Sequence, residues 1–179
     1  MIRVLQGGGA WAAASLPVFA QQRVYLSEEQ ALRVVFPGST RVRAEDKALT
    51  PAQQEEIERR LRARLGGATQ RVWRGETDGR ADGYAMVVDE VGREQAITFI
   101  VGLGPDLKVR KVALMVFRET RGGDVDDPRF TNQFKGKSAR DPLQVGGDII
   151  GIAGATLSSR AFCRGTRRVL LICDALYGR

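Results

Sequence analysis

Two short helices are predicted near the beginning of the chain. A capping-box signature, in which a hydroxyl residue is followed three positions later by glutamine, occurs at Ser27 and again at Thr50. The spacing of the apolar residues after each signature predicts helices over residues 28–36 and 51–65. The pair Gly66-Gly67 marks the end of the second helix.

The middle of the chain has the pattern of β-strands. Apolar runs rich in β-branched and aromatic residues alternate with short polar turns, for example Gly104-Pro105-Asp106. Strands that are joined by short turns form an antiparallel meander. The predicted strands cover residues 69–73, 83–89, 95–101 and 107–118, and the polar segment 39–48 is a further candidate.

A long amphipathic helix is predicted near the end of the chain, over residues 157–177, with Phe162 and Val169 on its apolar side. The pair Asp127-Pro128 opens a short predicted helix around Phe130 to Phe134, whose two rings are four positions apart and face one way. Together the elements predict an α+β fold, in which an antiparallel meander sheet is flanked by short N-terminal helices and a long C-terminal helix.

The first twenty residues resemble a targeting segment. Arg3 gives a short basic region, the following run is apolar, and Val18 and Ala20 are small residues at the positions that signal peptidase requires. We predict cleavage after Ala20, which leaves a single domain over residues 21–179. The alternative is an uncleaved membrane anchor or a buried helix, because the apolar run is short and interrupted by glycines.

The chain is basic, with 28 Lys and Arg against 21 Asp and Glu and a formal net charge of +7. The arginines are scattered over every predicted element and do not form one patch with interleaved aromatic residues. The charge therefore does not indicate a nucleic-acid-binding protein. Attraction to an anionic cofactor, partner or membrane surface suits it better.

The sequence has no histidine and two cysteines, Cys163 and Cys173. The lack of histidine excludes a Ser-His-Asp triad, a histidine-ligated zinc site and the usual attachment of c-type haem. Both cysteines fall in the predicted last helix, roughly 15 Å apart, which is too far for an intramolecular disulfide. We expect them in the core, with an intermolecular disulfide as the alternative. Redox chemistry then requires an organic cofactor or cysteine.

A glycine-rich loop over residues 146–156 leads into the long helix. The first turn of a helix offers free backbone N–H groups and the positive end of the helix dipole, and both favour a phosphate. Gly154 lets the backbone come close to a ligand, and Thr156 adds a hydroxyl at the junction. Ser158 and Ser159 can either cap the free N–H groups or contact the phosphate.

The run Gly154-Ala155-Thr156-Leu157-Ser158-Ser159 resembles the signature of the covalent FMN-binding domain family. That domain occurs in the G subunit of Rnf complexes, in the C subunit of the sodium-pumping NADH:quinone oxidoreductase and in small exported proteins. The upstream run 129–137 resembles the exported branch, and the resemblance extends over residues 75–168.

This resemblance implies a cofactor and a role. In the family a flavin transferase attaches FMN through a phosphoester to the last threonine of the motif, which is Thr156 here. It further implies an exported electron carrier, periplasmic or on the outer face of the cytoplasmic membrane, with redox partner proteins in the envelope or membrane. We expect an electron carrier and not a stand-alone enzyme, because no acid–base pair or nucleophile for substrate turnover stands out.

Further side chains are candidates to contact the cofactor. Gln133, Lys135 and Lys137 surround the end of the predicted short helix and can approach the flavin or its phosphate. Glu119 follows the last predicted strand and can either line the same site or belong to a solvated turn. The candidate cofactor-binding residues are thus Glu119, Gln133, Lys135, Lys137, Gly154, Ala155, Thr156, Ser158 and Ser159.

Two positions depart from the family pattern Asp-x-x-Ser/Thr-Gly-Ala-Thr. Ile150 stands where the family has aspartate, and Ala153 stands where it has serine or threonine. Asp148 lies two residues upstream of Ile150 and can substitute for that aspartate if the loop bulges. The alternatives to a covalent flavoprotein are therefore a domain that binds flavin or another anion non-covalently, and an envelope interaction domain that has lost its flavin.

Overall fold

The computed structural model describes residues 22–120 and 122–178. The predicted targeting segment, residues 1–20, lies outside the described residues, and so does the predicted first residue of the domain at position 21. No helix in the described part of the chain is both long enough and apolar enough to cross a membrane.

The described residues form a six-stranded antiparallel sheet with helices on both of its faces. Five strands lie side by side in chain order, which confirms the predicted meander and the α+β fold, and the first strand is added beside the sixth. The strands are β1 (Arg23–Val24), β2 (Arg41–Ala48), β3 (Thr69–Thr77), β4 (Arg80–Val91), β5 (Ala96–Leu103) and β6 (Val109–Phe117). The helices are α1 (Glu28–Val35), α2 (Pro51–Leu61), α3 (Pro128–Thr131) and α4 (Thr156–Tyr177).

Helices α1 and α2 begin where the sequence predicts, because both capping boxes are formed. The side chain of Ser27 accepts a hydrogen bond from the N–H of Gln30, whose own side chain accepts one from the N–H of Ser27. Thr50 and Gln53 make the same reciprocal pair at the start of α2. Four backbone donors of these first turns are thereby satisfied within the protein.

The predicted end of the second helix is wrong, since α2 stops at Leu61 and not at Leu65. Arg62 adopts a left-handed conformation with a φ of 54° and ends the helix. Leu65 is nevertheless buried, and its N–H donates to the side chain of Glu58 over 2.9 Å. A buried leucine in the following loop thus continues the apolar spacing beyond the helix.

Other boundaries also differ from the prediction. Strand β1 has two residues, too few for an apolar pattern to reveal it. Strands β3 and β4 are longer than predicted, because their backbone ladder continues through polar residues to the pair Thr77 and Arg80. The short helix begins at Pro128, as the pair Asp127-Pro128 predicts, but it ends in a 3-10 turn over Asn132–Phe134.

Helix α4 covers one face of the sheet and contributes to the larger core. The ring of Phe162 stacks on Phe99 of β5, with ring centroids 4.2 Å apart and nearly parallel planes. Phe130 contacts the edge of Phe162, and Phe134 in turn packs against Phe130, with centroids 5.8 Å and 5.4 Å apart. This aromatic cluster joins α4, the sheet and the segment of α3.

Helix α1 covers the opposite face of the sheet. Its buried residues Ala31 and Val35 pack in a second cluster with Ile100 of β5 and with Ala113 and Met115 of β6. The side chains of β5 alternate between the two clusters, as expected of a strand with both faces covered.

Both cysteines belong to the core, as predicted. Cys163 and Cys173 are free thiols and both are buried. Burial raises the pKa of each thiol to about 12, so both remain protonated and unreactive at neutral pH.

The close approach of α4 to the sheet depends on Gly165. A Cβ atom added at this position would lie 2.5 Å from Cζ of Phe99 and 2.9 Å from Cγ of Glu90. Any larger side chain would push the helix away from β5, since the Phe99 ring is itself fully buried.

We expect the substitution Gly165→Ala to lower the free energy of unfolding by about 1–2 kcal/mol, because overpacking outweighs the gain in helix propensity of about 1 kcal/mol. Urea unfolding monitored by circular dichroism measures this change. Gly38→Ala is the control, since no atom lies within 4 Å of a Cβ at that position. Equal or greater stability of the Gly165→Ala variant would contradict the packing argument.

Candidate functional site

The N-terminus of α4 lacks the side-chain caps that α1 and α2 have. Its N-cap residue is Ala155, whose side chain offers no acceptor. The N–H of Ser159 bonds to the carbonyl of Ala155, but the N–H groups of Thr156, Leu157 and Ser158 find no acceptor among the described residues. Three donors without a described partner at the positive end of a 22-residue helix are an arrangement that favours an anion.

Thr156 stands at this helix terminus with its side chain exposed. The preceding Gly154 has a φ of +78°, and nothing lies within 4 Å of the position that its Cβ would occupy. Leu157 is also exposed, to 44%. The threonine hydroxyl is therefore accessible to a ligand and to a modifying enzyme.

The two serines of the first turn face the protein. Ser159 is fully buried, and its hydroxyl donates to the carbonyl of Ala155 over 2.9 Å and accepts from the N–H of Ile152 over 3.2 Å. Ser158 is 4% exposed and lies so close to Gly122 that a Cβ there would be 2.7 Å from its Oγ. Ser159 therefore holds the loop on the helix, but it caps none of the N–H groups of the first turn of α4.

The loop before α4 is organised around Asp148. Its carboxylate accepts hydrogen bonds from the N–H of Gln144 over 2.8 Å, the N–H of Leu143 over 3.3 Å and Nζ of Lys137 over 2.8 Å. Burial raises the pKa of Asp148, but the hydrogen bonds from Gln144 and Lys137 outweigh it and leave the pKa below its ordinary value. These three bonds hold the carboxylate of Asp148 within the loop.

The two candidate lysines differ in their surroundings. Lys137 is held by Asp148 and lies 3.8 Å from Asp141, and the hydrogen bond to Asp148 raises its pKa. Lys135 is exposed and forms no ion pair with any residue that the structure describes. Of the two, Lys135 is the one whose charge is available to an anionic ligand.

Gln133 binds the backbone of the motif. Its side-chain amide accepts from the N–H of Ile150 over 2.7 Å and donates to the Ile150 carbonyl over 3.1 Å. Glu119, in contrast, caps the β4–β5 turn: one carboxylate oxygen accepts from the backbone N–H groups of Arg93, Glu94 and Gln95.

A cavity of about 500 Å³ adjoins the motif loop. Residues 150–152 of the loop form one wall, and they lead directly into the N-terminus of α4. Ile150 and Ile152 supply apolar surface, whereas Phe130 lies buried behind the wall and the polar residues come from the segment around α3. The lining residues are Asp124, Asp127, Arg129, Phe130, Gln133, Ile150, Gly151 and Ile152.

Sequence reasoning did not identify most of this lining. Phe130 was predicted either to enter the core or to pack beside a flavin, and it does the first while reaching the cavity. Asp124, Asp127 and Ile152 carry no motif that marks them. The missing cap of α4 is visible in the sequence as an alanine before the helix, although only the structure shows where the helix begins.

Comparisons with known proteins bear on the family and on the fold. Residues 92–171 match the family model of the FMN-binding domain. The crystal structure of Shewanella oneidensis NqrC is similar over 76% of this chain and 80% of that chain, with 18% sequence identity and a TM-score of 0.51, which indicates a shared fold. No curated protein matches the chain. The resemblance inferred from the motif is confirmed, and the matched segment contains the glycine-rich loop and most of α4.

We expect Asp148→Asn to lower the free energy of unfolding at neutral pH by about 1–3 kcal/mol, because the partly buried bonds to Lys137 and the loop lose their negative charge and one of two acceptor oxygens. The pKa of Asp148 is lower in the folded chain than its ordinary 3.8, so its contribution is complete above that value and disappears as pH falls through the lower, folded value. Urea unfolding between pH 7 and pH 3 measures both effects.

The control is Asp78→Asn, in an exposed turn where asparagine also tolerates the positive φ of 50°. The parent protein should lose more stability in acid than the Asp148→Asn variant. If the free energy of unfolding fell equally with pH in the parent protein and in the Asp148→Asn variant, the charge of Asp148 would not organise the loop.

Proposed function

We propose that the protein is a flavoprotein electron carrier that holds FMN at the N-terminus of α4. One observation carries the proposal: the helix that follows the FMN-binding motif presents three free N–H groups beside the exposed Thr156. A phosphate at this point would accept hydrogen bonds from the N–H groups of Leu157 and Ser158 and would face the positive end of the helix dipole.

The residues present fit the remainder of the cofactor as well. The cavity of about 500 Å³ beside the loop offers the apolar surface of Ile150 and Ile152 to a flat ring system. Gln133 orients the loop by binding the backbone of Ile150, whereas Lys135 is exposed but is not part of the cavity lining. When bound, FMN supplies one- and two-electron redox chemistry, whereas the chain binds and orients it.

We further propose that FMN is covalently linked to Thr156. A phosphoester between Oγ of Thr156 and the FMN phosphate forms with the net loss of one water, and a flavin transferase would catalyse it. The exposed hydroxyl and the open space beside Gly154 support access by such an enzyme.

Export to the cell envelope is a further part of the proposal. A cofactor that is not covalently held would diffuse away outside the cytoplasm, so covalent attachment suits a periplasmic or outer-face location. Redox partner proteins in the envelope or membrane would then exchange electrons with the flavin. The apolar, basic character of residues 1–20 supports this location.

Intact mass tests the covalent link. We expect the protein, purified under denaturing conditions from a host that exports it together with a flavin transferase, to exceed its sequence mass by FMN less one water. The addition should disappear in Thr156→Ala and persist in Ser158→Ala, whose neighbouring hydroxyl is buried. An unmodified parent protein, with a transferase active on a control substrate, or a modified Thr156→Ala variant would contradict the link.

Restoring the family pattern tests the role of the two departures. Ile150 is 77% exposed and only its backbone is held, so aspartate fits there without repacking. We expect the double substitution Ile150→Asp and Ala153→Ser to raise the modified fraction several-fold in a time course, because the transferase then meets the complete motif. Leu157→Ser is the control for added polarity beside Thr156. An equal rate in parent and double variant would show that these departures do not limit modification.

A non-covalent flavin site is the second candidate. The observation that favours it is the commitment of Asp148 to Lys137 and the loop backbone, which leaves no aspartate in the register of the motif. The same free N–H groups would then hold the phosphate of a dissociable FMN. Release of the flavin on denaturation distinguishes this case from the covalent one.

A further inference from the structure

We propose that a second cleft, lined by four arginines, binds a small phosphorylated anion. This arginine cleft has a volume of about 290 Å³ and lies between the end of α2, the end of β4, the loop 142–144 and the side of α4. It is separate from the motif site, since Arg164 lies about 12 Å further along α4 than Thr156. Its charged lining residues are Arg60, Glu90, Arg164, Arg167 and Arg168.

The positive charge of the cleft exceeds its negative charge. Glu90 is the one carboxylate in this lining; it is 6% exposed and pairs with Arg164 over 3.3 Å and Arg168 over 2.8 Å. Arg60 and Arg167 pair with no acid among the described residues, and the rest of the chain, residues 1–21, 121 and 179, includes no aspartate or glutamate. The guanidinium groups of Arg60 and Arg167 are therefore not neutralised by any side-chain carboxylate of this chain.

Backbone carbonyls hold these two arginines in place. Arg60 donates to the carbonyl of Ala139 over 2.6 Å, and Arg167 donates to the carbonyl of Pro142 over 2.9 Å. Each bond uses one of the five N–H donors of a guanidinium group, so most donors stay free for a ligand. A preorganised pair of guanidinium forks matches the oxygen geometry of a phosphate.

Two further donors lack a partner. Nε of Arg167 and Nε of Arg168 are buried and make no hydrogen bond with the residues that the structure describes. Burial of an unpartnered donor on a charged group is unfavourable, and so is the grouping of four like charges. An anion in the cleft relieves the repulsion and supplies acceptors.

The size and lining of the cleft indicate the class of ligand. About 290 Å³ accommodates a phosphate with a small organic group but no folded partner. Leu61, Pro142 and Leu143 add apolar surface beside the arginines, which suits a phosphomonoester better than a bare ion.

NMR titration of the isotope-labelled full chain with inorganic phosphate and with glycerol 3-phosphate tests the proposal. We expect saturable shifts of the backbone amides of Leu61, Leu143 and Gln144 in the arginine cleft, relative to sodium chloride at equal ionic strength. Glycerol 3-phosphate should bind more tightly than phosphate. Shifts confined to Thr156–Ser158 would report binding at the motif site alone and would overturn the proposal, as would the absence of saturation.

Charge removal localises the binding. Arg60→Gln with Arg167→Gln should weaken the affinity for glycerol 3-phosphate at least tenfold, because the two guanidinium groups that no carboxylate neutralises are removed. Both substitutions leave the buried Glu90 with its two partners, Arg164 and Arg168. Arg59→Gln is the matched control: its side chain neighbours Arg60 in sequence, is 70% exposed and pairs with Glu56 outside the cleft. Equal losses in the control and the double variant would mean a nonspecific charge effect and refute the site. Failure of flavin binding at Thr156 would leave this result unchanged.

Discussion

The contact between α4 and the sheet determines where the candidate site lies. Phe162 stacks on Phe99, and Gly165 allows the helix to come close enough for that stacking. The first turn of α4 is thereby held at one end of the sheet, next to the loop that follows β6, where Gly122 packs on Ser158. Since hydrophobic packing sets this position, the helix terminus needs no cap of its own and its free donors remain available.

The loop that leads into α4 is ordered by the protein itself. Asp148 accepts hydrogen bonds from Lys137 and from two backbone N–H groups of the loop. The side chains of Gln133 and Ser159 accept from the backbone N–H groups of Ile150 and Ile152. A phosphate therefore meets a preformed set of donors, and little ordering entropy is lost on binding.

Local signals in the sequence predicted the fold well. The capping boxes at Ser27 and Thr50, the apolar strand runs and the long amphipathic helix each depend on neighbouring residues, and the structure contains all of them. The predicted end of α2 failed because Leu65 is buried from a loop, so its apolar spacing did not reflect a helix. Contacts between distant segments, such as Glu119 with the β4–β5 turn or the four arginines around Glu90, have no local signature.

A crystal structure of the flavin-loaded protein tests the central claim most directly, whether the flavin is covalent or dissociable. The account predicts that phosphate oxygens accept hydrogen bonds from the N–H groups of Leu157 and Ser158 at the start of α4. A flavin phosphate bound elsewhere, for instance among the arginines of the second cleft, with the α4 terminus left to solvent, would contradict it.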